Sequence, residues 1–173
     1  MTTNLVRLVT ETGQDAELIP VARAHTHGGL KHRAFSVLLF NSAGDVLLQR
    51  RSQHKERWPG FYANSCCGHP LALNSLLEDA TQRVYEELGI TVHSLEEAGT
   101  FSYQAHYPGT QWSENELDHV LVGSWDDLLK PDATEVGEAV WVPPATVQQL
   151  TPRAPWLDDV LRLGLAARSH HAN

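Results

Sequence analysis

Cysteine is scarce in this 173-residue chain: there are two, and they are neighbours, Cys66 and Cys67. Adjacent cysteines close only a strained disulfide, so both are expected as reduced thiols of a cytosolic protein. Positive charge is also short. Thirteen Lys and Arg stand against twenty-one Asp and Glu, a formal net charge of -8. That balance disfavours nucleic acid as a main partner and favours divalent cations. No apolar run approaches the ~20 residues that span a bilayer, so no membrane association is expected. Met1-Thr2-Thr3-Asn4 has no basic region leading into an apolar stretch, so no secretory signal is expected either. Repeats, low-complexity segments and linkers are lacking too. The expectation is one domain over residues 1–173, a monomer or homodimer, with a disordered tail at about 168–173 that contains His170 and His171. The 42% hydrophobic content is ordinary for a globular chain with a real core.

Histidine, in contrast, is plentiful, with ten. Residues 35–40 read as a buried strand, 41–45 as a turn and 46–51 as a returning strand. Pro59-Gly60 marks a turn before an extended stretch at 61–67. The spacing predicts a helix over 75–89: Leu76, Ala80, Val84 and Leu88 recur every four residues, Ser75-Leu76-Leu77-Glu78 fits a capping box, and Gly89 suits a C-terminal cap. Further strands are expected at 98–105, 116–125 and 138–142. A short helix opens at Pro143-Pro144, and an amphipathic helix at 156–167 closes the chain. Together these predict an α+β domain, a mixed β-sheet with flanking helices.

Two polar stretches stand out. One is Asn64-Ser65-Cys66-Cys67-Gly68-His69-Pro70 and the other is Ser113-Glu114-Asn115-Glu116. If both are extended, alternation places Cys67 and His69 on one face of the first, and Glu114 and Glu116 on one face of the second. Cys66 and Asn115 then point away. The result gathers a nucleophile or base, metal ligands and an acid in one pocket.

The helix over 75–89 follows Gly68 and ends in Glu86-Glu87-Leu88-Gly89-Ile90, which resembles the Nudix box. That resemblance implies helix carboxylates that bind magnesium engaging a diphosphate. The match is degenerate, with Asn74 in place of glutamate and Gln82-Arg83 in place of arginine-glutamate. Without such a role, the same helix reads as a solvated acidic face with an Arg83–Glu87 pair at i,i+4.

With Cys67-Gly68-His69-Pro70, Glu114-Asn115-Glu116, His25, His32, Arg50-Arg51 and Trp58-Pro59-Gly60 added, the chain resembles the type I isopentenyl-diphosphate isomerases from about His25 to Trp156. The resemblance implies a Nudix-like fold and one divalent metal on His25, His32, His69, Glu114 and Glu116, with His27 as the rival of His25. Imidazole ligands suit Mn2+ or Zn2+ better than Mg2+ at such a site. It implies as the acid Glu116, or a tyrosine or water that Glu116 polarises, with Tyr103 as the phenol and Tyr107 as the fallback, and Cys67 as thiolate base on the opposite face of the substrate. It places Trp156 against a tertiary cation. Arg51, Lys55 and Arg83 fall on a small-molecule diphosphate whose Mg2+ is held by Glu87. Val21 stands where a basic residue is common, and Arg23 is the nearby substitute. His54, His93, His106 and His119 match nothing and read as structural or surface residues. The rival functions are a Nudix hydrolase of a diphosphate-linked substrate and a non-catalytic, metal-stabilised binding module.

Overall fold

A computed structural model describes residues 5–171, with the side chains of His170 and His171 outside the description. The expectations for residues 1–4, for 172–173 and for those two side chains fall outside the described residues. Strand β1 (Leu5–Val9) and strand β2 (Asp15–Pro20) form a hairpin that leads into a single-turn helix, α1 (Val21–Ala24). Strand β3 (His32–Phe40) is buried along its whole length, and β4 (Val46–Arg51) returns beside it. The turn between them has Asn41 Oδ1 accepting from the Asp45 amide at 2.9 Å, with Gly44 at φ 92°. Then come β5 (Tyr62–Ala63), β6 (Cys66–Gly68), helix α2 (Leu76–Leu88), and the long pair β7 (Glu96–His106) and β8 (Ser113–Ser124). Strand β9 (Val136–Val142), a 3-10 segment (Pro144–Gln149) and helix α3 (Leu157–His171) complete the order.

Among the described residues nine strands form one mixed sheet. β3 runs parallel to β8 and antiparallel to β6, while β7 adds antiparallel to β8 and β9 to β4. Side chains alternate across β3. Phe35, Val37 and Leu39 face Leu76, Ala80, Val84 and Leu88 of α2, and Leu38 and Phe40 face Leu157, Val160 and Leu161 of α3. The sheet is thus covered on both faces, and each fully buried aliphatic side chain contributes about 1.5–3 kcal/mol.

Three sequence expectations need correction. The capping box does not form: Ser75 caps no amide, because the 3-10 turn Leu73–Ser75 puts it at φ −101°, ψ 3° instead of an extended cap conformation. Its hydroxyl instead donates to Asp79 Oδ2 at 2.6 Å, and the same oxygen accepts from the Leu71 amide at 2.9 Å. The extended stretch at 61–67 is broken between β5 and β6. There Asn64 and Ser65 turn inward, and Ser65 Oγ both donates to Leu47 O at 2.6 Å and accepts from the Leu39 amide at 2.8 Å. The C-terminal helix does not stop at 167 but runs to His171, with the Arg168 guanidinium 4.6 Å from the centre of the Phe40 ring. The C-terminal cap of α2 is as expected: Gly89 is left-handed at φ 66°, where a Cβ would clash with Lys130 O.

Candidate functional site

Register assembles the site. Pairing of β3 with β8 sets His32 beside Glu116, pairing of β3 with β6 sets Ser36 beside Cys67, and pairing of β7 with β8 sets Tyr103 beside Glu116. His25 follows α1 and is fully buried, and His69 follows β6 directly. The three imidazoles lie with ring centroids 4.5–5.2 Å apart. Their Nε2 atoms converge on one oxygen: Glu116 Oε1 is 3.1 Å from His69, 3.3 Å from His32 and 3.9 Å from His25. Glu114 Oε2 is 3.0 Å from His25 Nε2.

These atoms fit a divalent ion. His25 and His32 hold their Nδ1 atoms 2.8 Å from Val21 O and 2.7 Å from Leu30 O, so each Nδ1–H donates to a carbonyl and, in the neutral imidazole, Nε2 carries the lone pair a metal needs. Both Nε2 atoms are buried without a hydrogen-bond partner. His25, His32, His69 and Glu116 each bring one ligand atom within 4.8 Å of the others, with Glu114 at the edge. His27 is not part of the group. It sits exposed in a loop at φ 55° and lines a separate cavity with His106.

Electrostatics follow from this crowding. Burial works against a charge on His25, but Glu114 and Glu116 outweigh it and raise its pKa to about 9. Burial dominates at His69 and lowers it to about 4. Burial also opposes ionisation of Glu116, yet the three imidazoles hold its carboxyl well below the usual range.

A cavity of about 320 Å³ opens onto this group, lined by Cys67, His69, Tyr103, Glu114, Glu116 and Trp156. Tyr103 Oη donates to Glu116 Oε2 at 2.6 Å, and burial beside that carboxylate pushes the phenol well above its ordinary pKa. Tyr107 lies elsewhere, its ring tilted against Trp58 with centroids 4.9 Å apart. The Cys67 thiol donates to Asn64 Oδ1 at 3.1 Å. Burial, reinforced by Asp118 and opposed by Arg51, pushes it up to about 12. Cys66 points the other way, into the core under α2. Trp156 is buried, its indole N–H bonded to Asn64 Oδ1 at 3.0 Å and the Arg51 guanidinium 5.7 Å from its ring centre.

Four cations line the same cavity: Arg51, Lys55, Arg57 and Arg83. Glu87 is buried behind them. Its Oε2 accepts from Gln49 Nε2 at 2.8 Å and its Oε1 accepts from Arg83 at 2.6 Å, with Lys55 at 3.4 Å. Glu135 pairs with both Lys55 and Arg83. Arg23 is exposed and does not line the cavity.

Residues 30–164 match the NUDIX domain model. A protein of Nocardia farcinica, named isopentenyl-diphosphate Delta-isomerase, is 46% identical over 167 residues, covering 94% of this chain and 95% of its own. The chain belongs to the isopentenyl-diphosphate Delta-isomerase family, on a Nudix fold. A Streptomyces griseus member is 39% identical over 152 residues, covering 88% of this chain and 77% of its own. A crystallised Deinococcus radiodurans protein superposes with TM-score 0.71 at 19% identity, over 91% of this chain and 97% of that one, and this likeness shows the fold alone.

Against the family pattern, the degenerate Nudix helix has a structural counterpart: its Arg83–Glu87 pair is the expected i,i+4 contact, but it is drawn into an ion cluster with Lys55, Glu86 and Glu135. Sequence reasoning for this isomerase-family chain missed several site residues. Asp118 continues the alternation of Glu114 and Glu116 along β8. It is buried, accepts from Ser36 Oγ at 2.7 Å, and is pushed well above the usual carboxyl range by burial and by Glu116. The same period-two spacing marks it in the sequence. Asn64, which orders both Cys67 and Trp156, was visible only as part of a motif. Arg57 and Glu135 carry no sequence signal, because a charge in a polar run reads as solvated. Among the described residues no helix is long and apolar enough to cross a membrane.

Proposed function

We propose that the protein interconverts isopentenyl and dimethylallyl diphosphates by a 1,3-allylic proton shift. One observation carries this reading: a single cavity is lined by Cys67, by the Tyr103–Glu116 pair and by Trp156, next to four cations suited to a diphosphate. Isopentenyl diphosphate must gain a proton at its terminal alkene carbon and lose one from the neighbouring methylene. An alkene is a weak base, so the acid must be strong and water excluded. Glu116 in its acid form is the proton source and works through the Tyr103 hydroxyl: Tyr103 gives its proton to the carbon and takes one from Glu116, which is left as the carboxylate. Cys67 takes the methylene proton in its thiolate form. Burial raises the thiol, and the Arg51 guanidinium works against that rise by favouring the thiolate. Trp156 stabilises the tertiary cation between them through its ring face, which already accepts the Arg51 guanidinium.

His25, His32, His69, Glu114 and Glu116 would hold a divalent ion, with imidazoles favouring Mn2+ or Zn2+ over Mg2+. Bound there, it supplies Lewis acidity that strengthens the acid beside Glu116. Glu87 would hold the Mg2+ that enters with the diphosphate, and Arg51, Lys55 and Arg83 would contact its oxygens. Two thiols without a cross-link support a cytosolic setting. The Nudix hydrolase reading is disfavoured by the lack of any use for Cys67, which lines the cavity. Incubation with isopentenyl diphosphate and, separately, with a panel of nucleotide sugars distinguishes the two. Dimethylallyl diphosphate from the first and no phosphate from the second is expected; phosphate release without isomer would establish the hydrolase.

A further inference from the structure

The four cations around the cavity are not equally free. Lys55 is committed to Glu87 and Glu135, and Arg83 to Glu86, Glu87 and Glu135 at 2.6–3.1 Å. Arg51 spends Nε and Nη2 on the carbonyl of Arg57, at 3.2 and 2.9 Å. Arg57 differs. Its Nε is buried with no hydrogen-bond partner, and its nearest carboxylate oxygen, Glu114 Oε1, is 3.5 Å away. Among the described residues its guanidinium makes no hydrogen bond. Only 16% of the side chain is exposed, and one face lies 5.8 Å from the Trp112 ring centre. A guanidinium held this far from water with its donors unused is costly unless an anion completes it.

The backbone holds Arg57 in place. Trp58 adopts φ 52°, a left-handed conformation that is strained for an aromatic residue, followed by Pro59 and by Gly60 at φ 76°. The Trp58 ring is wedged among Phe61, Tyr107 and Trp156, with centroids 4.9–6.2 Å away. The Gly60 amide donates to Arg51 O at 2.9 Å, and the Arg51 guanidinium grips the Arg57 carbonyl from below. One arginine of the cavity therefore positions the next.

We infer that Arg57 is a further diphosphate-binding residue, the least committed of the four cations of this cavity, which takes the substrate's phosphate oxygens alongside Arg51, Lys55 and Arg83. A planar guanidinium with several unused donors matches a phosphate group better than an ammonium does. The inference rests on reading the cavity as a diphosphate site. It separates Arg57 from a second role, positioning Glu114, by what each loss would change.

The test is calorimetric titration of the ion-loaded, full-length protein with inorganic diphosphate and Mg2+. Arg57→Gln is expected to weaken binding about tenfold or more, with Arg57→Lys intermediate. Content of tightly bound divalent ion and melting temperature should stay as in wild type. With isopentenyl diphosphate, KM should rise more than kcat falls. Should Arg57→Gln fold poorly, Arg57→Met keeps the aliphatic stem over Trp112 and is read in the same way. Unchanged diphosphate affinity overturns the inference. So does a loss of bound ion whose replacement in excess restores full diphosphate affinity, which would assign Arg57 to Glu114. Wild-type protein that binds diphosphate through Arg57 but isomerises nothing would sink the isomerase reading and uphold this one.

Discussion

At the scale of single residues, His25 is the most informative group. In the metal-free protein its pKa is about 9, above the ordinary histidine value near 6.5. A raised folded-state pKa means that His25 contributes its full stabilisation below about pH 6.5 and loses it as pH rises through 9. A metal ion needs the neutral imidazole, so it competes with that proton. His69, at about 4, is already neutral at pH 7. Uptake of Mn2+ by stripped protein at pH 7 should therefore release about one proton, measured by calorimetry in buffers of different ionisation enthalpy. Uptake with no proton release would remove His25 from the ligand set. The same protein should bind about one ion tightly and lose it in His69→Ala or Glu114→Gln; full occupancy in His69→Ala would show that the ligands lie elsewhere.

The two adjacent cysteines should separate cleanly. Cys67→Ser is expected to abolish nearly all turnover while keeping fold and metal, because an alcohol is not a base near neutral pH. Cys66→Ser buries a hydroxyl in the core under α2, so it should lower stability by about 1–3 kcal/mol while leaving turnover near normal. Equal activity loss in both would remove Cys67 from the chemistry. Alternation alone sorted these two residues, and it sorted Glu114 from Asn115 as well. It also marks Asp118, which went unread because no motif extended that far. Arg57 was beyond reach, since nothing local distinguishes it within Lys55-Glu56-Arg57 from a solvated charge.

At the scale of elements, α2 was readable because its buried stripe repeats at the helical period and Gly89 ends it. Its beginning was not, because the 3-10 turn reassigns the capping serine. This yields a stability test. Asp79→Ala, which frees the Leu71 amide and the Ser75 hydroxyl together, should cost about 1–2 kcal/mol in denaturant unfolding at fixed metal concentration. Ser75→Ala should cost less than Asp79→Ala; the reverse order would restore the serine as the cap. Strands β3 and β8 were read short at their N-terminal ends, where His32, Arg33, Ser113, Glu114 and Asn115 break the apolar pattern. These are polar because they face the site or its supports. The β1–β2 hairpin was missed for a different reason. Its anchor is distant: buried Arg33 donates to Asp15 Oδ1 at 2.8 Å and to Gly13 O at 2.7 Å, and lies 2.7 Å from His119 Nε2. That guanidinium leaves His119 Nε2 as acceptor, so His119 Nδ1–H donates to Glu97 at 2.7 Å. His119 is structural, as its lack of any motif suggested.

At the scale of the whole molecule, a sheet covered on both faces leaves the site at its end, where α1, the loop after β6 and the pair β7–β8 meet. The mixed sheet with flanking helices was within reach of the sequence, because strand and helix periods are local. The parallel pairing of β3 with β8 was not, since its partners are more than eighty residues apart and only the register shows why His32 and Glu116 belong together. That register makes one cavity of an acid pair, a thiol and a set of cations, and the central claim is that this cavity moves protons on carbon and leaves the diphosphate whole. Isopentenyl diphosphate turned over in D2O and followed by NMR tests it most directly. Dimethylallyl diphosphate should accumulate with deuterium in a methyl group and both phosphorus signals intact. Release of inorganic phosphate or of a monophosphate, with no deuterium entering the carbon chain, would contradict it.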